Sequence, residues 1–107
     1  MTQEQVLEVS KIAILNDDFR RSGLGVVLTG GAQSVNDVNG LMQAVRMYDR
    51  FEEGNDPWGE HDFGRIDWNG DKVFWKIDYY NRALDEWEDP TSPECQRVMT
   101  VMLSNEY

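Results

Sequence analysis

Cysteine is all but missing from this chain of 107 residues, where Cys95 stands alone. A single thiol excludes an internal disulfide and a cysteine-rich zinc site, and it fits a reducing compartment. Histidine is as scarce, since His61 is the only one. That removes two-histidine metal motifs such as H-E-x-x-H. No apolar run reaches the roughly 20 residues of a membrane span. The N-terminal "MTQEQVLEVS" lacks the basic start and apolar core of a signal segment, so the cytoplasm is the default location. There is no repeat and no linker, and residues 1–107 read as one domain.

Positive charge is also short. Twenty acidic residues against 10 basic ones give a net charge of −10. Such a field repels nucleic-acid phosphates and anionic membranes, and it attracts basic surfaces. Direct nucleic-acid and membrane partners are therefore not expected, whereas a basic protein is. The excess is uneven: residues 1–54 hold 8 acids and 5 bases (net −3), and residues 55–107 hold 12 acids and 5 bases (net −7). Two clusters carry it. One is Asp49, Glu52, Glu53, Asp56, Glu60 and Asp62, broken only by Arg50. The other is Asp85, Glu86, Glu88, Asp89 and Glu94, with no base among them.

Apolar residues are not lacking, at 40%, with 11% aromatic, which is enough for a single modest core. Residues 3–20 read as a helix with Val9, Ile12, Ala13, Leu15 and Phe19 on one face. Leu7 and Ile14 fall on the opposite face, which points to a homodimer through this helix or to a binding partner. Gly23 or Gly25 stops it. "VVLTGG", residues 26–31, reads as a strand closed by a glycine turn. Ser34 is the expected cap of a second helix, residues 35–50, whose stripe is Val38, Leu41, Met42, Val45 and Tyr48.

Asn69-Gly70 is the strongest local signal, because both central positions of a type I′ hairpin turn need positive φ. A two-residue loop between residues 63–68 and 71–80 fixes the register. Ile66 then faces Val73, Gly64 faces Trp75, Asp67 faces Lys72 and Arg65 faces Phe74. His61 would face Asp78 if the ladder ran that far. The face with Ile66, Val73, Trp75, Ile77 and Tyr79 is the expected buried one. Residues 81–94, with Pro90 and Pro93, read as a loop. Residues 97–103 fit a third long strand, with a helix from a Ser92-Pro93 cap as the alternative. The expected fold is α+β, a small antiparallel sheet centred on the 63–80 hairpin with two helices on one face.

Catalytic motifs are sparse. The serines have no G-x-S-x-G context, and Gly30-Gly31 are not followed by the Lys-Ser/Thr of a phosphate loop. Cys95 reads as a spectator. Trp58, Glu60, His61 and Asp62, with Asp78 beside them, form a polar group with the residue types of a general base or ligand site. No metal or cofactor is expected.

The blocks "LNDDFRR" (15–21), "NDPWGEHDFG" (55–64), "VFWKIDYYN" (73–81), "DP" (89–90) and "RVMTVMLSNEY" (97–107) together resemble an uncharacterised bacterial family, domain-of-unknown-function family 3768. The resemblance implies no activity and no catalytic residues. It implies small proteins carried by proteobacteria, their plasmids and phages, and hence an accessory or host-interaction role. Two functions follow as expectations. The first is an acidic, DNA-mimic-like inhibitor of a basic, nucleic-acid-binding defence enzyme. The second is an enzyme or small-ligand binder centred on Glu60, His61, Asp62 and Asp78.

Overall fold

The turn at Asn69-Gly70 organises the sheet. A computed structural model describes residues 2–107. Asn69 and Gly70 both have positive φ, 49° and 90°, as a type I′ turn requires. Strand β2 (Phe63–Trp68) and strand β3 (Asp71–Tyr80) flank it, paired Ile66 to Val73, Gly64 to Trp75 and Phe63 to Lys76, as the turn predicts. Residues 97–103 are strand: β4 (Gln96–Leu103) runs antiparallel to β3, with Val101 beside Trp75 and Arg97 beside Tyr79. A short strand β1 (Val26–Leu28) adds to β4 in parallel, giving the order β1-β4-β3-β2. The sheet is therefore mixed, with an antiparallel core of three strands and one parallel edge.

Helix α1 (Gln3–Ser22) starts at a Thr2–Gln5 capping box and stops at Gly23, whose φ is 69°. Between β1 and the next long helix the expectation shifts. Thr29 caps a one-turn helix, α2 (Gly30–Gln33), which ends the strand early. Helix α3 (Val38–Arg46) then begins at Asp37, not at Ser34. Asp37 adopts the left-handed region (φ 54°) and accepts from the Gly40 amide at 3.0 Å. A short carboxylate can close an N-terminus from that conformation, so the break falls at residues 34–37. The Gly31 amide is already engaged within the chain. Glu106, in a short 3₁₀ turn (Ser104–Glu106), accepts from the Gly31 amide at 3.2 Å and from the Thr29 hydroxyl at 2.6 Å.

The helices cover one face of the sheet. Val73, Trp75, Ile77, Met99 and Val101 meet Ala32, Leu41, Val45 and Tyr48 there. Each fully buried aliphatic side chain among them contributes about 1.5–3 kcal/mol. On the other face Phe63, Phe74 and Tyr107 form a small ring cluster, with centroids 5.2–6.1 Å apart. Ion pairs run along the strands there, Arg65 to Asp67 and Lys76 to Asp78, not across them. The cross-strand pairing of Asp67 with Lys72 holds in register only. Among the described residues no helix is long and apolar enough to cross a membrane.

Gly64 lies beneath the Trp75 indole, where an added Cβ would collide with the ring. Gly64→Ala is expected to destabilise the chain by about 1–3 kcal/mol, measured by urea unfolding. An unchanged midpoint would mean that the indole is free to move.

Candidate functional site

The apolar face of α1 is interrupted by polar residues one turn apart. Asn16 and Arg20 lie on the buried side of the helix, and both are 0% exposed. Burial obliges each polar group to find a partner. Asn16 Nδ2 donates to the Glu60 carbonyl at 2.9 Å and to the Tyr79 hydroxyl at 2.8 Å. Its Oδ1 accepts from Arg97 Nε at 2.7 Å. One amide thus joins α1, the loop before β2, β3 and β4. Arg97 reaches it because the register sets Arg97 beside Tyr79 on the covered face. Its guanidinium lies 5.3 Å from the Tyr79 ring centroid, and Nη2 donates to the Pro90 carbonyl at 2.7 Å. The Tyr79 hydroxyl donates in turn to Glu60 Oε2 at 3.3 Å. Burial pushes the phenol well above its ordinary pKa, so it stays protonated and serves as a hydrogen-bonding group.

Arg20 anchors the neighbouring cluster. Nη1 pairs with Asp17 at 3.0 Å, Nη2 donates to the Tyr48 carbonyl at 2.9 Å, and the rings of Phe51 and Trp75 lie 5.3 and 5.1 Å away. Among the described residues Arg20 Nε has no hydrogen-bond partner, so the two π-faces take that side of the cation. Asp17 also holds His61, whose Nδ1 lies 3.0 and 3.1 Å from its two oxygens. A carboxylate only accepts, so Nδ1 carries the proton. The imidazole stacks on Phe51 at 3.8 Å and 4°. His61 Nε2 is 3.7 Å from Asp56, whose carboxylate also receives the His61 amide.

This geometry corrects one sequence expectation. His61 does not face Asp78. The ladder begins at Phe63, Ile77 donates to the Asp62 carbonyl at 2.8 Å, and His61 takes a positive φ of 57°, which turns it toward α1. Asp78 stands opposite Val98, with its carboxylate 3.0 Å from Lys76. Glu60, His61 and Asp62 do stay together at the end of the sheet. Burial, helped by the charge of Asp62, pushes the Glu60 carboxyl above the ordinary range, against the Tyr79 hydrogen bond. Burial does the same to Asp62, assisted by the charges of Asp56 and Asp78. Cys95 is pushed up by burial as well, which weakens it as a nucleophile.

The acidic residues separate by surroundings. Asp49, Glu52, Glu53, Asp85 and Glu86 are exposed, and Glu88 and Asp89 are half-buried. Asp56 is drawn inward by His61. The loop from residue 81 to residue 90 folds back on β3: Asn81 donates to the Glu86 carbonyl, Glu88 to the Tyr79 carbonyl, and Asn81 closes a side-chain bond with Asp85. Asp89 accepts two bonds from Thr91, which hold its carboxyl below the ordinary range. That fold-back sets Trp87, Asp89 and Pro90 across from Trp58 and Glu60. With Gln5, Glu8, Val9 and Ile12 of α1 they line a groove of about 650 Å³. Asp49 and Glu52 line a different hollow, beside Arg50 and Arg65.

Asn16, Asp17, Arg20, Arg97 and Trp87 were not among the expected site residues. Asn16 and Arg20 carried a signal nonetheless, because they occupy the stripe positions one turn after Ile12 and Asn16 respectively. The blocks "LNDDFRR", "NDPWGEHDFG", "VFWKIDYYN" and "RVMTVMLSNEY" all supply side chains to this one place.

The model of the family described as "Protein of unknown function (DUF3768)" matches residues 10–106, nearly the whole chain. No curated protein and no solved structure matches it.

Two expected outcomes test the polar cluster. Asp17→Ala leaves the Arg20 charge buried without its carboxylate and should cost about 3–5 kcal/mol in urea unfolding. The double variant Asp17→Ala/Arg20→Leu should recover part of that loss. The raised carboxyl of Glu60 means that the folded chain binds its proton more tightly than the unfolded chain. Stability then falls as pH rises from the ordinary carboxyl range through the raised folded value, and the full cost persists above it. Glu60→Gln should therefore melt higher than the parent at about pH 8, with the gap closing toward about pH 4. An equal gap at both pH values would contradict this.

Proposed function

We propose that this chain, which belongs to the DUF3768 family of unknown function, is an acidic interaction protein that binds a basic, nucleic-acid-binding partner in the cytoplasm. The observation that carries the reading is how the chain uses its own bases. Arg20, Arg65 and Lys76 pair with Asp17, Asp67 and Asp78, which lie outside the two acidic clusters, and of the cluster acids Glu94 alone pairs with an arginine, Arg82. Arg97 is committed to Asn16 and Pro90. Among the described residues, Asp49, Glu52, Glu53, Asp85, Glu86, Glu88 and Asp89 form no salt bridge with any base. Negative charge is thus left unneutralised on the two loops, and a basic surface is what it attracts. Mimicry of DNA, as an inhibitor of a host defence enzyme carried by a phage or plasmid, is the specific form we favour. Leu7 and Ile14, exposed on the outer side of α1, offer such a partner or a second copy of the chain an apolar contact as well.

The enzyme or ligand-binding alternative has less support. Both ring nitrogens of His61 face carboxylates of the chain itself, its face lies on Phe51, and Asp78 is engaged by Lys76.

Affinity capture from a host lysate tests the reading when run beside a charge-reversed variant. Glu52→Lys, Glu53→Lys, Asp85→Lys and Glu86→Lys are all at exposed positions, so each should change stability by about 0.5 kcal/mol or less. The parent should retain a basic nucleic-acid-binding protein at low salt and release it at high salt, and the variant should retain none. Recovery of no basic protein at any salt, or the same recovery by both proteins, would overturn the proposal.

A further inference from the structure

Two indoles are left in solvent. Trp58 is 72% exposed and Trp87 is 70% exposed, whereas Trp75 is fully buried. They come from different loops, one from each acidic region, and both line the same groove of about 650 Å³. Its base is Val9, Ile12 and Pro90, and its charged groups are Glu8, Glu60 and Asp89, with no lysine or arginine on any wall. Indole is the best of the aromatic rings for holding a cation over its face. Carboxylates on the same walls add the long-range attraction, and an apolar base suits the methylene stem of a long basic side chain. The volume has room for about two or three side chains. An uncharged apolar ligand would leave three carboxylates facing it, and an anion would be repelled by all three.

We infer that this groove captures the lysine or arginine side chains of an extended basic segment, using the faces of Trp58 and Trp87 with the carboxylates of Glu60 and Asp89. The inference rests on the reading of the chain as an acidic interaction protein and assigns the place where the partner is held. Burial that already disfavours the Glu60 charge makes an incoming cation more welcome there. The loop acids outside the groove then act at a distance, by steering.

The probe is a nine-residue peptide alternating glycine with arginine or lysine, titrated into the full chain and followed by the four indole N–H resonances. A counterpart with citrulline and norleucine in place of the basic residues is the control. The indoles of Trp58 and Trp87 should shift, while those of Trp68 and Trp75 stay. Trp58→Ala and Trp87→Ala should each weaken binding about tenfold with no change in melting, since both side chains are exposed. The arginine and lysine arms show which cation is preferred. If the basic peptide binds but the two indoles stay still and both alanine variants bind like the parent, the groove assignment is overturned and the acidic-surface reading stands. Equal binding of the neutral counterpart overturns cation recognition. If no basic peptide binds at low salt, both the groove and the broader reading fail.

Discussion

Burying the amide of Asn16 fixes more of this structure than any single apolar contact. With no water to satisfy it, the side chain must use its donors and its acceptor inside the protein, and each goes to a different segment. The Glu60 carbonyl brings in the loop before β2, Tyr79 brings in β3, and Arg97 brings in β4. Arg97 extends the chain of bonds to Pro90 and so to the second acidic loop. One turn later, Arg20 and Asp17 tie down His61 and, through it, Asp56. With both donors and the acceptor of the Asn16 amide paired, the network rigidifies what it joins.

The residues that look catalytic are thereby accounted for as structure. His61 lies between two carboxylates on a phenylalanine face, and Tyr79 is a protonated donor in an interior chain of bonds. What the network leaves outside is its product: two loops most of whose acids form no salt bridge, and two exposed indoles on one groove. The polar interior and the acidic exterior are linked parts of one arrangement, since Glu60 gives its carbonyl to Asn16 and its residue to the groove wall.

The hairpin was legible because Asn69-Gly70 encodes a local geometry, and local geometry propagates through a register of period two. From Phe63 to Tyr80 nearly every side chain stands where the turn predicts. Residues 97–103 were legible as strand from their β-branched content. Less could be read where a choice depends on partners far away in sequence. Ser34 and Asp37 are both good caps, and the one-turn helix begun at Thr29 decides between them. The parallel pairing of β1 with β4 joins segments some seventy positions apart, with no turn to announce it. His61 was set against Asp78 by extending the ladder, but one positive φ ended the alternation. Asn16 and Arg20 were hidden because a stripe of apolar residues invites the reader to pass over polar ones within it. The two-sided exposure of Trp58 and Trp87 on one groove needed the fold-back at Asn81.

The central claim is that the Asn16 amide holds both loops at once, and hydrogen exchange of Asn16→Ala against the parent tests it most directly. Losing those bonds should raise exchange about tenfold or more, together, at the amides of Gly59 and His61 in one loop and Ser92 and Cys95 in the other. Amides in the hairpin between Ile66 and Val73 should keep their protection. Loops that exchange as in the parent, or protection lost evenly through loops and hairpin alike, would contradict it.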